Sequence, residues 1–209
     1  MDQEKFVKIV IYGGIIVILA FIFTIFFTQK LTPGTYQYVH GMDTFDVQQV
    51  GTTEEGGITY KIKIFVGNDA SPKYIYTRHE PQEMEGLKIA NGIKEILNKK
   101  EIYTVINPNE GLTGRTVIAA LEIDKFIDNA YLFQIPVKSA FTEKDENNPD
   151  YPVMNCESVT EDIGIIWLTL GEETIIKNEE GCIIIQGQTE DDIIKLSDGL
   201  IFYLLGMIG

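Results

Sequence analysis

The sequence predicts one N-terminal transmembrane helix followed by a single α/β domain with a mixed sheet. Three observations carry this reading. Ile9–Phe27 is a run of nineteen residues without a charge. Further on, a β-branched run, an apolar helical pattern and a second strand-like run follow one another between Ile102 and Val137. Two hairpin patterns, one turning at residues 67–69 and one at 178–181, add antiparallel pairs.

The first element is the uncharged run. At about 1.5 Å per residue a helix of this length spans about 28 Å, close to the roughly 30 Å hydrocarbon core of a bilayer. A cleaved signal peptide has a shorter apolar region, about 7–15 residues, and a small-x-small cleavage site. Here the run ends in Phe26-Phe27-Thr28-Gln29-Lys30 with no such pattern, which favours a retained anchor. Lys5 and Lys8 precede it, and after Lys30 no basic residue appears until Lys61. Positive charge therefore puts the N-terminus in the cytoplasm and the rest outside. The expected division is residues 1–8 cytoplasmic, 9–28 in the lipid bilayer, 29–57 a stalk or lead-in, and 58–209 an extracytoplasmic α/β domain.

Within the lead-in only Phe45–Val50 reads as a short strand. Ile58–Val66 alternates apolar and polar residues, as a half-buried strand does, and Tyr74–Thr77 pairs with it across the Gly67-Asn68-Asp69 turn. Leu87–Asn98 has helical spacing despite Gly92, and Ile102–Ile106 is the most strand-like short segment. Thr113 is a natural N-cap for a helix over 114–128, apolar on most sides and therefore buried. Tyr131–Val137 is the next strand, which completes a βαβ unit with a parallel pair. Glu143–Pro152 is a charged loop and Glu157–Asp162 one helical turn. Ile163–Leu170 is a strand with the only tryptophan, Trp167. Thr174–Lys177 and Cys182–Gln186 form the second hairpin. Thr189 caps a last helix over 190–205, whose Glu190, Asp191 and Asp192 face its positive end. Leu196, Leu200, Tyr203 and Leu204 fall on one stripe of that helix, which predicts a core element.

Charge narrows the function. From Leu31 onward there are 14 basic and 29 acidic residues, a balance of −15. No basic patch is available to neutralise a phosphate backbone, so nucleic acid is excluded as a partner, and an anionic membrane surface is disfavoured. Cys156 and Cys182 are the two cysteines. In an exported domain an even pair reads as one disulfide, with two buried thiols as the alternative. Zinc wants four ligands, and no CxxC or HxxxH spacing is present, so no metal site is expected. No cofactor motif is present either.

The candidate site is the loop after the Ile102–Ile106 strand, with Asn107, Asn109, Gly111, Thr113, Gly114 and Arg115. Such a loop leaves the C-terminal end of a parallel strand and enters a helix N-terminus, where open α/β sheets bind ligands and backbone N–H groups receive anions. Arg115 adds a positive charge. Gly114-Arg115-Thr116 imitates the end of a phosphate loop, but Asn109 stands where the first glycine belongs and Arg115 replaces the lysine. Plain loop and cap chemistry is the alternative. His40 and His79 belong to no hydrolase motif and read as exposed surface residues. Asp145–Asp150 has oxygen ligands without the alternation and central glycine of a calcium loop.

The segment Cys182-Ile-Ile-Ile-Gln-Gly187, leading into a helix that ends Tyr203-Leu-Leu-Gly206, resembles the tails of single-span archaeal surface proteins of unknown function. Gly111-Leu-Thr-Gly-Arg-Thr-Val-Ile-Ala-Ala-Leu-Glu-Ile123 is similar to the same group. The resemblance covers about a third of the chain and implies structure rather than an activity. The expected function is a non-enzymatic envelope protein that binds or scaffolds other envelope proteins. The alternative is an anchored enzyme acting on a cell-surface polymer. A cleft with converging carboxylates or Arg115 favours the second, a flat apolar face the first.

Overall fold

The computed structural model describes residues 34–52, 58–67 and 69–209, with Gly14 and Ile18 as isolated helical positions. The expected membrane span, residues 9–28, otherwise lies outside the described residues. Among the described residues no helix is long and apolar enough to cross a membrane.

Residues 35–52, expected as part of a stalk with one short strand at Phe45–Val50, are two strands: β1 (Thr35–His40) and β2 (Asp43–Thr52), the second of which contains the expected one. Their alternation is imperfect, yet Tyr38 and Val47 are buried, and that burial draws them into a sheet. With β3 (Ile58–Ile64) and β4 (Lys73–Thr77) they form a four-stranded sheet in chain order. The β2–β3 and β3–β4 pairs are antiparallel. One face presents Tyr60, Ile62, Ile64 and Ile75 to the core. The other carries Lys61, Lys63, Tyr74 and Tyr76. There the Lys61 ammonium lies 3.9 Å from the Tyr74 ring centroid, and Lys63 bonds Asp46 at 3.2 Å.

The second sheet is the mixed one. It holds β5 (Glu101–Ile106), β6 (Val137–Phe141), β7 (Ile163–Leu170), β8 (Ile175–Glu179) and β9 (Cys182–Gly187). The order is β6-β5-β7-β9-β8, with the first four parallel and β8 antiparallel at the edge. Helix α1 (Gly114–Ile127) makes the expected crossover from β5 to β6. Helix α2 (Glu190–Leu204) follows β9. Ten of its fifteen residues are buried, among them Ile193, Leu196, Leu200 and Phe202. A helix apolar on most sides lies between layers. The residues that face both sheets accordingly share one apolar cluster with α1 and α2. Beyond α2 the chain turns at Gly206, whose φ of 73° is open to glycine at little cost. The Gly206 and Met207 amides then close on the carbonyls of Tyr203 and Phe202, a Schellman ending.

Among the described residues no α-helix covers the other face of the mixed sheet. A smaller cluster of Val105, Ala140, Ile165, Cys182 and Ile184 lies there under Met154, Cys156 and Val159. Those three belong to the long connection between β6 and β7. The Cys156–Cys182 disulfide, with Cα atoms 5.3 Å apart, fastens this connection to β9. The pairing expected from the cysteine count is thus present.

Three expected elements differ. The helix over Leu87–Asn98 is replaced by a bridge from Ile89 to Ile176 of β8 and a short 3-10 turn at Ile93–Asn98. Gly92 between them has φ 80°, and a Cβ there would meet the Asn178 side-chain nitrogen at 2.7 Å. This left-handed position interrupts the helical pattern. The strand over Tyr131–Val137 begins only at Val137. Asn129 Oδ1 accepts the Tyr131 amide at 2.9 Å and Gln134 has φ 56°, so the chain turns before it extends. The helical turn expected at Glu157–Asp162 sits earlier, at Cys156–Ser158, where Asn155 caps it.

Candidate functional site

The residues of the predicted loop do gather at the head of α1. Asn107 Oδ1 accepts the Asn109 amide at 2.8 Å, and Asn109 Nδ2 donates to Glu143 at 2.9 Å. Gly111 turns the chain with φ 74°. Glu110 Oε1 accepts the Thr169 hydroxyl at 2.6 Å and the Leu170 amide at 2.9 Å, tying the loop to the end of β7. Thr113 caps as expected, its Oγ1 accepting the Arg115 amide at 3.3 Å. Gly114 opens the helix.

The N–H groups at this helix start hold a carboxylate of the same chain. Glu190 Oε2 accepts the Thr113 amide at 3.0 Å, the Thr116 amide at 3.0 Å and the Thr116 hydroxyl at 2.7 Å. Glu190 Oε1 takes the Thr113 hydroxyl at 2.8 Å. Burial works to raise the Glu190 pKa, but the bonds from Thr116 and Thr113 outweigh it and hold the carboxyl below its usual range. Arg115 pairs with Asp191 one residue further on. The two helix starts are therefore joined through side chains of the first turn of α2. Glu190 opens α2, yet its hydrogen-bond partners are 74–77 residues away in the chain.

A second polar cluster lies where β4 ends. Asp198, in the middle of α2, is fully buried. Its Oδ2 accepts the Arg78 amide at 3.0 Å and the His79 amide at 2.9 Å, and lies 2.9 Å from His79 Nδ1. The Arg78 Nε donates to Glu122 Oε1 of α1 at 2.7 Å. Burial raises the Asp198 pKa against the opposing pull of His79. Burial, then the charge of Asp198, raises that of Glu122 against Arg78. Asp198 Oδ1 and Glu122 Oε2 are buried without a hydrogen-bond partner.

His79 was expected as a surface residue, but it is the partner of this buried acid. The signal was an aspartate placed among Ile194, Leu200 and Ile201 of an apolar helix, since a buried charge needs a partner. Chemically, the Asp198–His79 pair orients an imidazole. No hydroxyl or thiol hydrogen-bonds the ring among the described residues. What the pair does hold is backbone, joining the end of β4 to α2.

Two depressions lie on the surface of the described residues, and the second borders Glu122. One, of about 590 Å³, is bordered by Tyr38, His40, Leu87, Lys94, Tyr203 and Ile208. The other, of about 320 Å³, is a groove between β4 and α1 that includes Glu122, Lys125 and Ile201. No group of three or more His, Cys, Asp or Glu able to hold a metal ion occurs among the described residues. In the acidic loop, Asp145 takes the Asn147 amide at 3.0 Å and the Asn148 side-chain amide at 2.6 Å. No protein-family model, curated protein or solved structure matches this chain.

Proposed function

We infer that the chain is a membrane-anchored domain, held in the bilayer by residues 9–28 and displayed outside the cell, where it binds or scaffolds other envelope proteins without catalysis of its own. The observation that supports this most is the Cys156–Cys182 disulfide, because such bonds persist in oxidising compartments. The uncharged Ile9–Phe27 run and the basic residues before it support the same topology. The groups that ligand chemistry would draw on are already used inside the fold: the head of α1 holds Glu190, and His79 holds Asp198.

The reading is tested by differential alkylation in whole cells quenched with acid. Thiols are blocked before lysis and disulfides are reduced and labelled afterwards. Cys156 and Cys182 should carry only the second label. Two cysteines fully blocked in the first step would remove the main support for an exported domain.

A further inference from the structure

The groove between β4 and α1 joins an outer strand, an apolar floor and a cation unpaired among the described residues. β4 is an outer strand of its sheet. The backbone groups of Tyr74, Ile75 and Tyr76 bond to β3 alone among the described residues, so one side of the strand offers unpaired N–H and C=O groups. The outer strands of the mixed sheet are engaged further: β8 bridges to Ile89 and β6 to Val153. An open edge is a template for another extended chain.

The wall facing that edge is chemically specific. The groove floor is apolar, with Ile75, Phe126 and Ile201 nearly buried beneath it. On the α1 side, Glu122 is neutralised through Oε1 by Arg78, and its Oε2 is a buried acceptor without a partner. Lys125, one turn further on, is exposed and makes no ion pair among the described residues. The uncompensated charge of the wall is therefore positive, on a chain whose net charge is −14. A row of backbone donors and acceptors selects an extended peptide, the apolar floor selects one aliphatic side chain, and Lys125 selects an acidic one.

We propose that this groove takes an extended, acidic-aliphatic peptide segment of a partner protein as a fifth strand beside β4. The proposal deepens the binding reading above and rests on it for where the partner is met. The added strand gains main-chain bonds along β4, seats an aliphatic side chain over Ile75, and directs a carboxylate to Lys125. A second copy of this chain is the other occupant, and the test below distinguishes it.

The test uses the full chain purified in detergent and a capped, fluorescein-labelled seven-residue peptide of alternating valine and glutamate. Anisotropy should show saturable binding, and Lys125→Glu should weaken it by about tenfold or more. Methylating alternate peptide amides should weaken it at least as much, because it removes the donors that pair with β4. The Lys125→Glu protein should keep the far-ultraviolet spectrum of the parent. No saturation at millimolar peptide, equal binding of the N-methylated peptide, or equal binding of a valine–lysine peptide would overturn the proposal. Dimerisation of the chain itself that Lys125→Glu abolishes would give the groove to a second copy and overturn it too. Peptide binding by a domain that proves cytoplasmic would leave the groove standing and remove the exported reading; an exported domain without binding would do the reverse.

Discussion

Replacing Asp124 by asparagine should stabilise this protein at neutral pH and leave it unchanged in acid. Asp124 lies on α1 and accepts the hydroxyl of Thr104, itself buried on β5, at 2.9 Å. Burial, with Asp128 nearby and against the bond from Thr104, pushes its pKa up to about 6. In the unfolded chain the value is about 3.9. Between those two pH values the folded state holds more protons than the unfolded one, so stability falls as pH rises through the window. The full difference corresponds to about 3 kcal/mol, and screening by the water that reaches part of this carboxyl leaves about 1–2 kcal/mol. Asparagine keeps an acceptor for Thr104 and never ionises. The assay is urea unfolding of the full chain followed by Trp167 fluorescence, at pH 7.5 and pH 4, in parent and Asp124→Asn. The other buried acids titrate alike in both proteins and cancel. A gain at pH 7.5 that vanishes at pH 4 is expected. The same shift at both pH values, or a loss at pH 7.5, would refute the assignment of the cost to the buried charge.

Three further outcomes are expected. Glu190→Ala leaves the Thr113 and Thr116 donors at the head of α1 without their acceptor, and should cost about 2–3 kcal/mol in urea unfolding. Because the Glu190 pKa is held low, that contribution is full above the usual carboxylate range and is lost as pH falls from that range through the lowered folded value; a cost below about 0.5 kcal/mol at neutral pH would mean that the contact is slack. Replacing both Cys156 and Cys182 by alanine should cost about 3.5 kcal/mol from loop closure alone, and hydrogen exchange should quicken first between residues 142 and 162. Asp198→Ala should cost about 2–4 kcal/mol, because it strands the Arg78 and His79 amides in a buried place; a fold as stable as the parent would show that those amides find another partner.

The legible parts of the fold were those with local patterns. The β3–β4 and β8–β9 hairpins, the β5–α1–β6 crossover and the caps at Thr113 and Thr189 each follow from a few neighbouring residues. What stayed hidden depended on distant partners. β1 has little alternation, and only burial of Tyr38 against the rest makes it a strand, whereas the Phe45–Val50 strand was legible and is extended at both ends in β2. Gly92 looked tolerable in a helix until Asn178 took the space beside it. At the candidate loop the cap was legible but its occupant was not, since Glu190 lies more than seventy residues away. The Asp198–His79 contact spans 119 residues, and the lone aspartate in an apolar helix was its one local sign. The groove beside β4 depends on which strand is left at an edge, and sheet order is not written in any single segment.

The central claim, that the described domain stands outside a membrane that residues 9–28 anchor, is tested most directly by adding protease to intact cells expressing the full chain. The account predicts that residues after Lys30 are degraded while a cytoplasmic marker stays whole, and that nothing of the domain is left to appear on lysis. Complete protection until the cells are broken would contradict it.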